Sequence, residues 1–461
     1  MSEIDTISER IVVIGGVAAG MSAASKARKI RPDIEIIVFE KGNFVSYGSC
    51  GLPYFLSDMI KSPNDLVSHD ENYFKEQRNI DIFLKHEVIA IHPKKNSVTV
   101  KKLETKEEKD YQYSKLLIAT GARAVIPPIE GVDLKGIYSI RGLKDGIAAK
   151  DFIKKNNPKN ALIVGAGHIG LEVAEAFVNL GMKVTIVERM PNILGIMDEE
   201  INEVVENELI RNNVVLFKST SVTEFMEERG LVRAARLDNG ELLYADIAII
   251  SAGIRPNSEI ASEAGIELGS TGAIEVNPRM ETNAPDIYAA GDCAEAYHRI
   301  LKKPVYIPLG TTANKEGRIA GENMVGGNAT FSGIMGTGVF KIFDLEVAKT
   351  GLSEIEAKGE GIVIVSDVIE HVSKAHYYPG GSKIKIKLIA DAKTDRLLGA
   401  EMVGREGVSK RIDVFATALT AKMTVNDIEN LDLSYAPPFA PVRDPILIAA
   451  NEINKKLRVR M

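Results

Sequence analysis

Residues 161–170 read ALIVGAGHIG, an apolar run that passes directly into a Gly-x-Gly-x-x-Gly motif. A short continuous aliphatic run is typical of a parallel strand buried on both faces. In this motif Gly165, Gly167 and Gly170 permit a tight turn and a close approach to a pyrophosphate, whose charge lies at the N-terminus of the next helix. A second strand, 184–187, follows that helix, so the segment predicts a dinucleotide-binding βαβ unit.

Glu188 ends this second strand. A carboxylate there accepts hydrogen bonds from the adenosine ribose of NADH and repels a 2′-phosphate. Arg189 follows directly and could reverse that preference. The sequence therefore favours NADH and leaves NADPH open. A Gly-rich turn without a ligand is the alternative reading of the motif.

An earlier stretch, residues 11–20 (IVVIGGVAAG), has the same form. It keeps Gly15 and Gly20, but Val17 replaces the middle glycine, and Glu40 stands at the ribose position after the next strand. We interpret it as a second nucleotide unit; a structural βαβ unit without a ligand is the alternative. Two dinucleotides in one chain suggest FAD beside NADH or NADPH.

The strand ends 116–121 and 248–253 close the two units, and residues 286–292 predict a strand that returns to the first unit. The second unit is thus expected to be inserted into the first. The residues predicted to contact the cofactors are Gly15, Gly20, Glu40, Thr120, Gly121, Gly291 and Asp292 for FAD, and Gly165, Gly167, Gly170, Glu188 and Gly253 for the nicotinamide cofactor.

The chain has 461 residues, enough for about three domains. From Gly333 onward the pattern changes to alternating strands (383–388, 397–403) and one helix near 410–422. The predicted fold is α/β, with two doubly wound nucleotide-binding domains, the second inserted in the first, and a C-terminal α+β dimerisation domain. The expected boundaries are 1–125 with 254–330 for FAD, 126–253 for NAD(P), and 331–461 for dimerisation.

Composition excludes several classes of protein. A net charge of −6 offers no basic footprint for nucleic acid, and 2 cysteines cannot build a disulfide framework. Low cysteine use fits a reducing cytoplasm, and neither a signal peptide nor an apolar run of membrane-spanning length is recognisable. No metal-ligand pattern is predicted.

Cys50 lies in residues 46–54 (SYGSCGLPY), where glycine and proline predict a turn that opens into a helix. A thiol at a helix N-terminus ionises more readily, because the helix dipole favours the anion. The alternative is an inert buried cysteine, an interpretation that we prefer for Cys293.

These motifs together resemble the pyridine nucleotide-disulfide oxidoreductases from about Ile11 to the C-terminus. Most members carry a Cys-x-x-x-x-Cys pair, but Val45 occupies the first position here. The chain is therefore similar to the single-cysteine branch, which includes coenzyme A disulfide reductases, persulfide and polysulfide reductases, NADH oxidases and NADH peroxidases. Residues 308–315 (PLGTTANK) also match that branch.

Within this branch, a few sequence positions distinguish the oxidases and peroxidases from the coenzyme A disulfide reductases. Oxidases and peroxidases carry a histidine in the first Gly-rich loop, where Ala18 stands here. The Tyr-Tyr-Pro-Gly and Tyr-Ala-Pro-Pro motifs of coenzyme A disulfide reductases match residues 377–380 and 435–438. The resemblance implies a homodimer in which the partner's C-terminal domain supplies Tyr377 and Tyr435 to Cys50; packing at an interface is the alternative role.

The resemblance also implies a coenzyme A site at Ser22, Lys26, Lys29, Ser46, Ser49, Arg78, Asn314 and Arg443. Its cations suit the phosphates of coenzyme A. The expected activity is NAD(P)H-dependent reduction of coenzyme A disulfide, persulfide or polysulfide through FAD and Cys50, with coenzyme A as substrate or bound on Cys50. Alternatives are an oxidase or peroxidase that cycles through a Cys50 sulfenic acid, and a flavin-bound redox sensor without turnover.

Overall fold

The computed structural model describes residues 9–459, which form 25 strands and 12 α-helices. The strands are β1 (Arg10–Ile14), β2 (Glu35–Glu40), β3 (Asp81–Leu84), β4 (His86–His92), β5 (Ser97–Lys102), β6 (Glu108–Gln112), β7 (Lys115–Ile118), β8 (Ala122–Ala124), β9 (Ile137–Ser139), β10 (Asn160–Val164), β11 (Lys183–Val187), β12 (Val215–Phe217), β13 (Val222–Glu228), β14 (Leu231–Leu237), β15 (Leu242–Tyr244), β16 (Ile247–Ile250), β17 (Ile254–Pro256), β18 (Ile287–Ala289), β19 (Ala296–His298), β20 (Lys303–Val305), β21 (Gly338–Ile342), β22 (Leu345–Gly351), β23 (Ile364–Val372), β24 (Lys383–Asp391) and β25 (Leu397–Gly404). The helices are α1 (Ala18–Ile30), α2 (Leu52–Leu56), α3 (Glu71–Arg78), α4 (Leu143–Asn156), α5 (His168–Asn179), α6 (Glu199–Arg211), α7 (Glu259–Glu263), α8 (Gly310–Asn323), α9 (Glu354–Gly359), α10 (Val408–Thr420), α11 (Val425–Glu429) and α12 (Pro445–Val459).

One compact unit comprises residues 9–125, 139–155 and 253–334. Its central sheet has the order β18-β7-β1-β2-β3, and its neighbouring strands are parallel. Strand β18 pairs with β7 after an excursion of more than 160 residues, so the expected return to the first sheet is confirmed. Strands β8 and β17 pair antiparallel where the chain leaves and re-enters this unit.

The first sheet is buried on both faces, which explains the unbroken apolar run in β1. Ile11 and Val13 belong to a core cluster that includes Ala23 of α1, whereas Val12 belongs to the opposite cluster with Val98 of β5. All five side chains have no solvent exposure. Alternate side chains of a strand point to opposite faces, so helices cover one face and the β4–β6 meander covers the other.

A second compact unit comprises residues 126–138, 156–252 and 335–459. One part has a sheet of order β12-β11-β10-β16-β9, with α5 following β10 as the Gly-rich motif predicted. The other part has a five-stranded antiparallel sheet, β21-β22-β25-β24-β23. Helix α10 packs on β22 and β25, and α12 packs on β23 and β24. The predicted fold class is confirmed.

The expectation of one helix after Gly333 is wrong, because the structure has four, α9 to α12. The short helices α9 and α11 begin at capping boxes, Ser353 with Glu356 and Thr424 with Asp427. Helix α12 begins next to Asp444, whose carboxylate accepts a hydrogen bond from the Ile446 amide at 2.9 Å. Its buried residues recur at helical spacing: Ile446, Ala449, Ala450, Ile453 and Leu457. These signals were present in the sequence.

Candidate active site

The first Gly-rich loop needs its two outer glycines. Gly15 has φ +101°, and a Cβ there would lie 2.2 Å from the Ala119 carbonyl oxygen. A Cβ on Gly20 would lie 1.9 Å from the Gly15 oxygen. No side chain fits at either place, so the loop brings β1, β7 and α1 together at backbone contact.

Glu40 organises the edge of this loop. Its carboxylate accepts hydrogen bonds from the Gly16 amide at 2.8 Å and the Gly42 amide at 2.7 Å. Each oxygen keeps a further lone pair for a ligand hydroxyl. The position at the end of β2 fits the predicted contact with a ribose.

The second Gly-rich loop repeats this geometry. Gly165 has φ +105°, with 2.3 Å between a Cβ and the Ser251 oxygen, and a Cβ on Gly170 would lie 2.2 Å from the Gly165 oxygen. Around Gly167 there is open space, as a bound pyrophosphate requires. Glu188 accepts hydrogen bonds from the Ala166 amide at 2.7 Å and the Met190 amide at 2.8 Å, matching Glu40.

The remaining predicted cofactor residues lie at strand ends. Thr120 Oγ1 donates to the Asn257 carbonyl at 2.5 Å, and the Asn257 side-chain amide donates to the Thr120 carbonyl at 2.9 Å. Gly121 and Gly253 both have positive φ, +67° and +106°. Within the first unit, Thr120 and Gly121 follow β7 beside the first Gly-rich loop.

Gly291 and Asp292 line a small, partly open pocket beside the start of α8. Asp292 forms an ion pair with Arg141, and the Gly291 amide donates to Glu316 Oε2 at 2.8 Å. Glu316 is 1% exposed, and its Oε1 has no hydrogen-bond partner among residues 9–459. Burial, assisted by Asp292, raises the pKa of Glu316 to about 8. The two glycine-rich turns, the helix terminus and this polar lining fit a dinucleotide cofactor.

Cys50 is exposed and lies in a 3₁₀ turn (Ser49–Gly51) that leads into α2. Its segment is joined to the first Gly-rich loop, because the Ser46 amide donates to the Gly16 carbonyl at 2.9 Å. Val45, which stands where most family members have the first cysteine of the pair, is 1% exposed. The structure therefore ties the segment that carries an accessible thiol to the first Gly-rich loop, and it places an apolar core residue where a partner thiol would stand.

Lys150 of α4 was missed by sequence reasoning. It is 3% exposed, and its ammonium donates to the Phe55 carbonyl at 2.6 Å and the Ile60 carbonyl at 3.1 Å. It also pairs with Asp58 at 2.8 Å. Lys150 thus holds the C-terminal end of α2, the helix that begins two residues after Cys50. No local pattern near Lys150 signals this long-range contact.

Cys293 is fully buried, and burial raises the pKa of its thiol to about 11. Its sulfur donates weakly to the Ile118 and Ala290 carbonyls, each at 3.4 Å. A protonated thiol with these contacts is a packing residue.

The predicted coenzyme A residues are partly brought together. The Asn314 side chain donates to Ser22 Oγ at 2.8 Å, and Lys26 pairs with Glu322 at 2.9 Å, so α1 and α8 carry three of them side by side. Lys29 and Arg78 are exposed at the ends of α1 and α3. Ser46 and Ser49 flank Cys50, whereas Arg443 lies in the second unit, ahead of α12.

Tyr377 and Tyr435 come from loops 58 residues apart and meet at their hydroxyls, with 2.8 Å between the two oxygens. They are 63% and 43% exposed. The hydrogen bond between the two hydroxyls raises the pKa of Tyr435. The two tyrosines singled out by resemblance therefore form one pair in the second unit.

Glu172 of α5 is a further titratable group near the second Gly-rich loop. Burial, reinforced by the nearby Glu175 carboxylate, raises the pKa of Glu172 to about 7. An acidic residue between Leu171 and Val173 on an apolar helix was a signal that sequence reasoning did not use.

Residues 9–317 match the family described as pyridine nucleotide-disulphide oxidoreductase, and residues 337–445 match the dimerisation domain of that family. The chain belongs to the pyridine nucleotide-disulphide oxidoreductases. This membership confirms the family resemblance drawn from the sequence. The family depends on FAD and NAD(P)H.

Three relatives extend the comparison. The NAD(P)H sulfur oxidoreductase (CoA-dependent) of Pyrococcus furiosus is 42% identical, over 96% of this chain and 98% of its own length. An NADH oxidase of Methanocaldococcus jannaschii is 37% identical, over 97% and 99%. The NAD-dependent persulfide reductase from A. fulgidus superposes with a TM-score of 0.95 at 38% identity, covering 98% of this chain and 84% of that one.

Among residues 9–459 no helix is long and apolar enough to cross a membrane. That same range holds no cluster of three or more His, Cys, Asp or Glu side chains placed to bind a metal ion.

Proposed function

We propose that this protein is a flavoprotein that uses NADH or NADPH to reduce coenzyme A disulfide, or coenzyme A persulfide or polysulfide, through Cys50. The observation that carries the proposal is the exposed Cys50 thiol tied to the first Gly-rich loop, with buried Val45 in place of a second cysteine. The second sulfur of the redox pair is then that of the substrate. The Pyrococcus relative named as CoA-dependent and the persulfide reductase structure support this choice.

The two nucleotide loops have separate tasks in this proposal. Gly165, Gly167, Gly170, Glu188 and Gly253 hold the nicotinamide cofactor, with Glu188 favouring NADH. The set that holds FAD is Gly15, Gly20, Glu40, Thr120, Gly121, Gly291 and Asp292. When bound there, FAD would supply a two-electron relay between the nicotinamide and the sulfur at Cys50. The domains are proposed as 1–125 with 254–330, 126–253, and 331–461.

In this proposal the Cys50 thiolate is the only protein sulfur that reacts with the substrate. Cys50 attacks one sulfur of the disulfide, the substrate S–S bond breaks, and one coenzyme A thiolate leaves. The new Cys50–coenzyme A disulfide then takes up two electrons and a proton, which releases the second thiol and restores the Cys50 thiolate. With coenzyme A persulfide, attack at the inner sulfur breaks the S–S bond, releases hydrosulfide and gives the same Cys50–coenzyme A disulfide. With a polysulfide, a shorter polysulfide leaves, and the sulfur bound to Cys50 is released as hydrosulfide when it takes up two electrons and a proton. Tyr377 and Tyr435 donate a hydrogen bond or a proton to the departing thiolate.

Coenzyme A is proposed to bind along α1 and α8. Lys26, Lys29, Arg78 and Arg443 offer cations for its phosphates, and Ser22, Ser46, Ser49 and Asn314 offer polar contacts. Lys26 pairs with Glu322, and its ammonium has further donors that could turn toward a phosphate oxygen on binding. We also propose that Tyr377 and Tyr435 act on the Cys50 of the other subunit in a homodimer.

The test is anaerobic oxidation of NADH and of NADPH with three acceptors: coenzyme A disulfide, polysulfide with coenzyme A, and hydrogen peroxide. We expect turnover with a sulfur acceptor, and loss of at least about a hundredfold in Cys50→Ser. Cys293→Ala is the matched control and should retain the parent rate. Turnover with peroxide alone, or full activity of Cys50→Ser with a sulfur acceptor, would contradict the proposal.

A second candidate is an NADH oxidase or peroxidase in which Cys50 cycles through a sulfenic acid. The 37% identical relative named NADH oxidase favours it. Ala18 begins α1 at the place where a histidine would serve as acid or base, so the loop offers no such group. The peroxide arm of the assay, repeated with oxygen, decides between the two activities.

A further inference from the structure

Arg411 of α10 is a cation 8% exposed in the second unit. Its Nε donates to Asp444 at 3.1 Å (Oδ1) and 3.0 Å (Oδ2), and its Nη2 lies 2.9 Å from Asp444 Oδ2. A guanidinium held in this way is fixed in plane and in rotation, because its donors have a rigid fork geometry.

The other donors of Arg411 reach backbone. Nη2 donates to the Ser373 carbonyl at 3.2 Å and to the Phe439 carbonyl at 3.2 Å, and Nη1 donates to the Gly407 carbonyl at 3.2 Å. Ser373 opens the loop between β23 and β24, and Phe439 lies in the loop between α11 and α12. One buried side chain therefore binds both loops.

These loops carry the tyrosine pair. Tyr377 follows Ser373 by four residues, and Tyr435 precedes Phe439 by four. The loops also touch where the Ala375 amide donates to the Pro437 carbonyl at 3.2 Å. Both phenol rings are largely exposed, and among residues 9–459 Tyr377 packs only edge-on against His376 of its own loop, so no surrounding core sets the distance between their hydroxyls. The loop backbones must set it.

We propose that Arg411, held by Asp444, is a positioning residue that keeps Tyr377 and Tyr435 within hydrogen-bond distance. The role of Arg411 in turnover rests on the proposed function of the two tyrosines, but its effect on their geometry does not. A lysine cannot reproduce these contacts, since its three donors sit on one nitrogen, whereas Arg411 binds one carboxylate and three carbonyls through three nitrogens spread in a rigid plane.

A phenol titration tests the geometry without any enzyme assay. Tyrosinate absorbance is followed against pH in Arg411→Lys, in Tyr377→Phe, and in a Lys410→Met control on the exposed side of the same helix. Each is also made with Tyr435→Phe, and the difference isolates Tyr435 among the 13 tyrosines. The pKa of Tyr435 is expected to fall in Arg411→Lys in the same direction as in Tyr377→Phe, and to stay unchanged in Lys410→Met. An unchanged titration in Arg411→Lys overturns the proposal.

Turnover in the holoenzyme supplies the second arm. With coenzyme A disulfide, Arg411→Lys should lower kcat about ten- to a hundredfold, the usual cost of misplacing a catalytic group. Reduction of ferricyanide by NADH, which needs no tyrosine, should stay at the parent rate. Arg411→Lys should add nothing to Tyr435→Phe, and additive losses would overturn the proposal.

Two further results distinguish a failure of the proposed tyrosine function from a failure of the proposed Arg411 role. If Tyr435→Phe keeps full activity, the proposed role of the tyrosines is wrong, and the phenol titration alone decides on Arg411. If Arg411→Lys does not fold, Asp444→Asn takes its place. That variant keeps one acceptor oxygen and should lower the pKa of Tyr435 in the same direction by a smaller amount; no change would overturn the proposal.

Discussion

At the scale of single residues, Cys50 and Cys293 carry the same thiol in different surroundings. Cys50 is exposed in its turn, whereas Cys293 has no exposed surface and a pKa raised to about 11 by burial. Only the thiolate is a good nucleophile, so environment and not residue type separates the two. The position of each in the fold decides which one reacts.

Alkylation should therefore distinguish them. After reduction, the native protein at pH 8 should take up one equivalent of iodoacetamide, at Cys50, and two after unfolding in guanidinium chloride. Mass spectrometry of peptides gives the site. Cys50→Ser should take up none while folded. Native labelling of Cys293 would show that its burial does not protect it.

Glu316 links stability to pH. Its pKa rises from 4.5 to about 8 in the folded protein, mainly through burial. Between these values the unfolded chain has lost the proton that the folded chain keeps, so stability should fall as pH rises, by about 1.4 kcal/mol per pH unit. Glu316→Gln is neutral throughout, and its stability relative to the parent should rise from pH 5 to pH 8.

Urea unfolding at pH 5, 6.5 and 8 measures this difference. Glu322→Gln, a change on the same helix, is the matched control and should follow the parent slope. Parallel pH profiles for the parent and Glu316→Gln would mean that Glu316 ionises normally in the folded protein.

At the scale of elements, α2 is too short to be stable alone, since a helix of five residues makes few internal hydrogen bonds. Its orientation comes from α4. Lys150 binds the Phe55 and Ile60 carbonyls, and a Cβ on Gly146 would lie 2.8 Å from Leu52. The place of Cys50 thus depends on a helix nearly a hundred residues away.

Lys150→Met should loosen this arrangement. Loss of charge-assisted hydrogen bonds to buried carbonyls should cost about 2 kcal/mol of unfolding free energy. Hydrogen exchange at amides 51–60 should quicken more than exchange elsewhere. Lys155→Met, at an exposed position of the same helix, should change neither quantity. Equal exchange rates in both variants would show that α2 is held by other contacts.

At the scale of the whole molecule, the chain contains two Gly-rich loops with the same backbone geometry. The turns at Gly15 and Gly165 both have φ near +100°, and Glu40 and Glu188 each bridge two backbone amides at the end of the next strand. The cysteine lies with the first copy and the tyrosine pair lies in the second unit. Assembly of two subunits is the proposed means by which cysteine and tyrosines cooperate.

Mixing of two inactive variants tests that assembly. Cys50→Ser and Tyr435→Phe dimers, dissociated and reassociated together, should regain about a quarter of parent activity, because random pairing yields half heterodimers with one intact site each. If cysteine and tyrosine act within one subunit, no activity should return. Each variant mixed with itself is the control.

Much of the fold follows from local sequence. The Gly-rich loops, the flanking strands and the acidic strand ends were predicted because backbone sterics at Gly15 and Gly165 allow no other residue, and burial on both faces demands an unbroken apolar strand. The lone Cys50 and buried Val45 could likewise be located by spacing. The roles of the site residues remain predictions.

What the sequence by itself determined is therefore the two nucleotide units, the order in which the chain builds them, and the one thiol beside the first. Only the tertiary structure decided that Lys150 holds the helix after Cys50, that burial raises the pKa of Glu316, and that Arg411 joins the loops of Tyr377 and Tyr435. Periodicity and motif spacing report contacts between near neighbours in the chain. A buried charge finds its partners across tens of residues, and only the folded packing determines which they are.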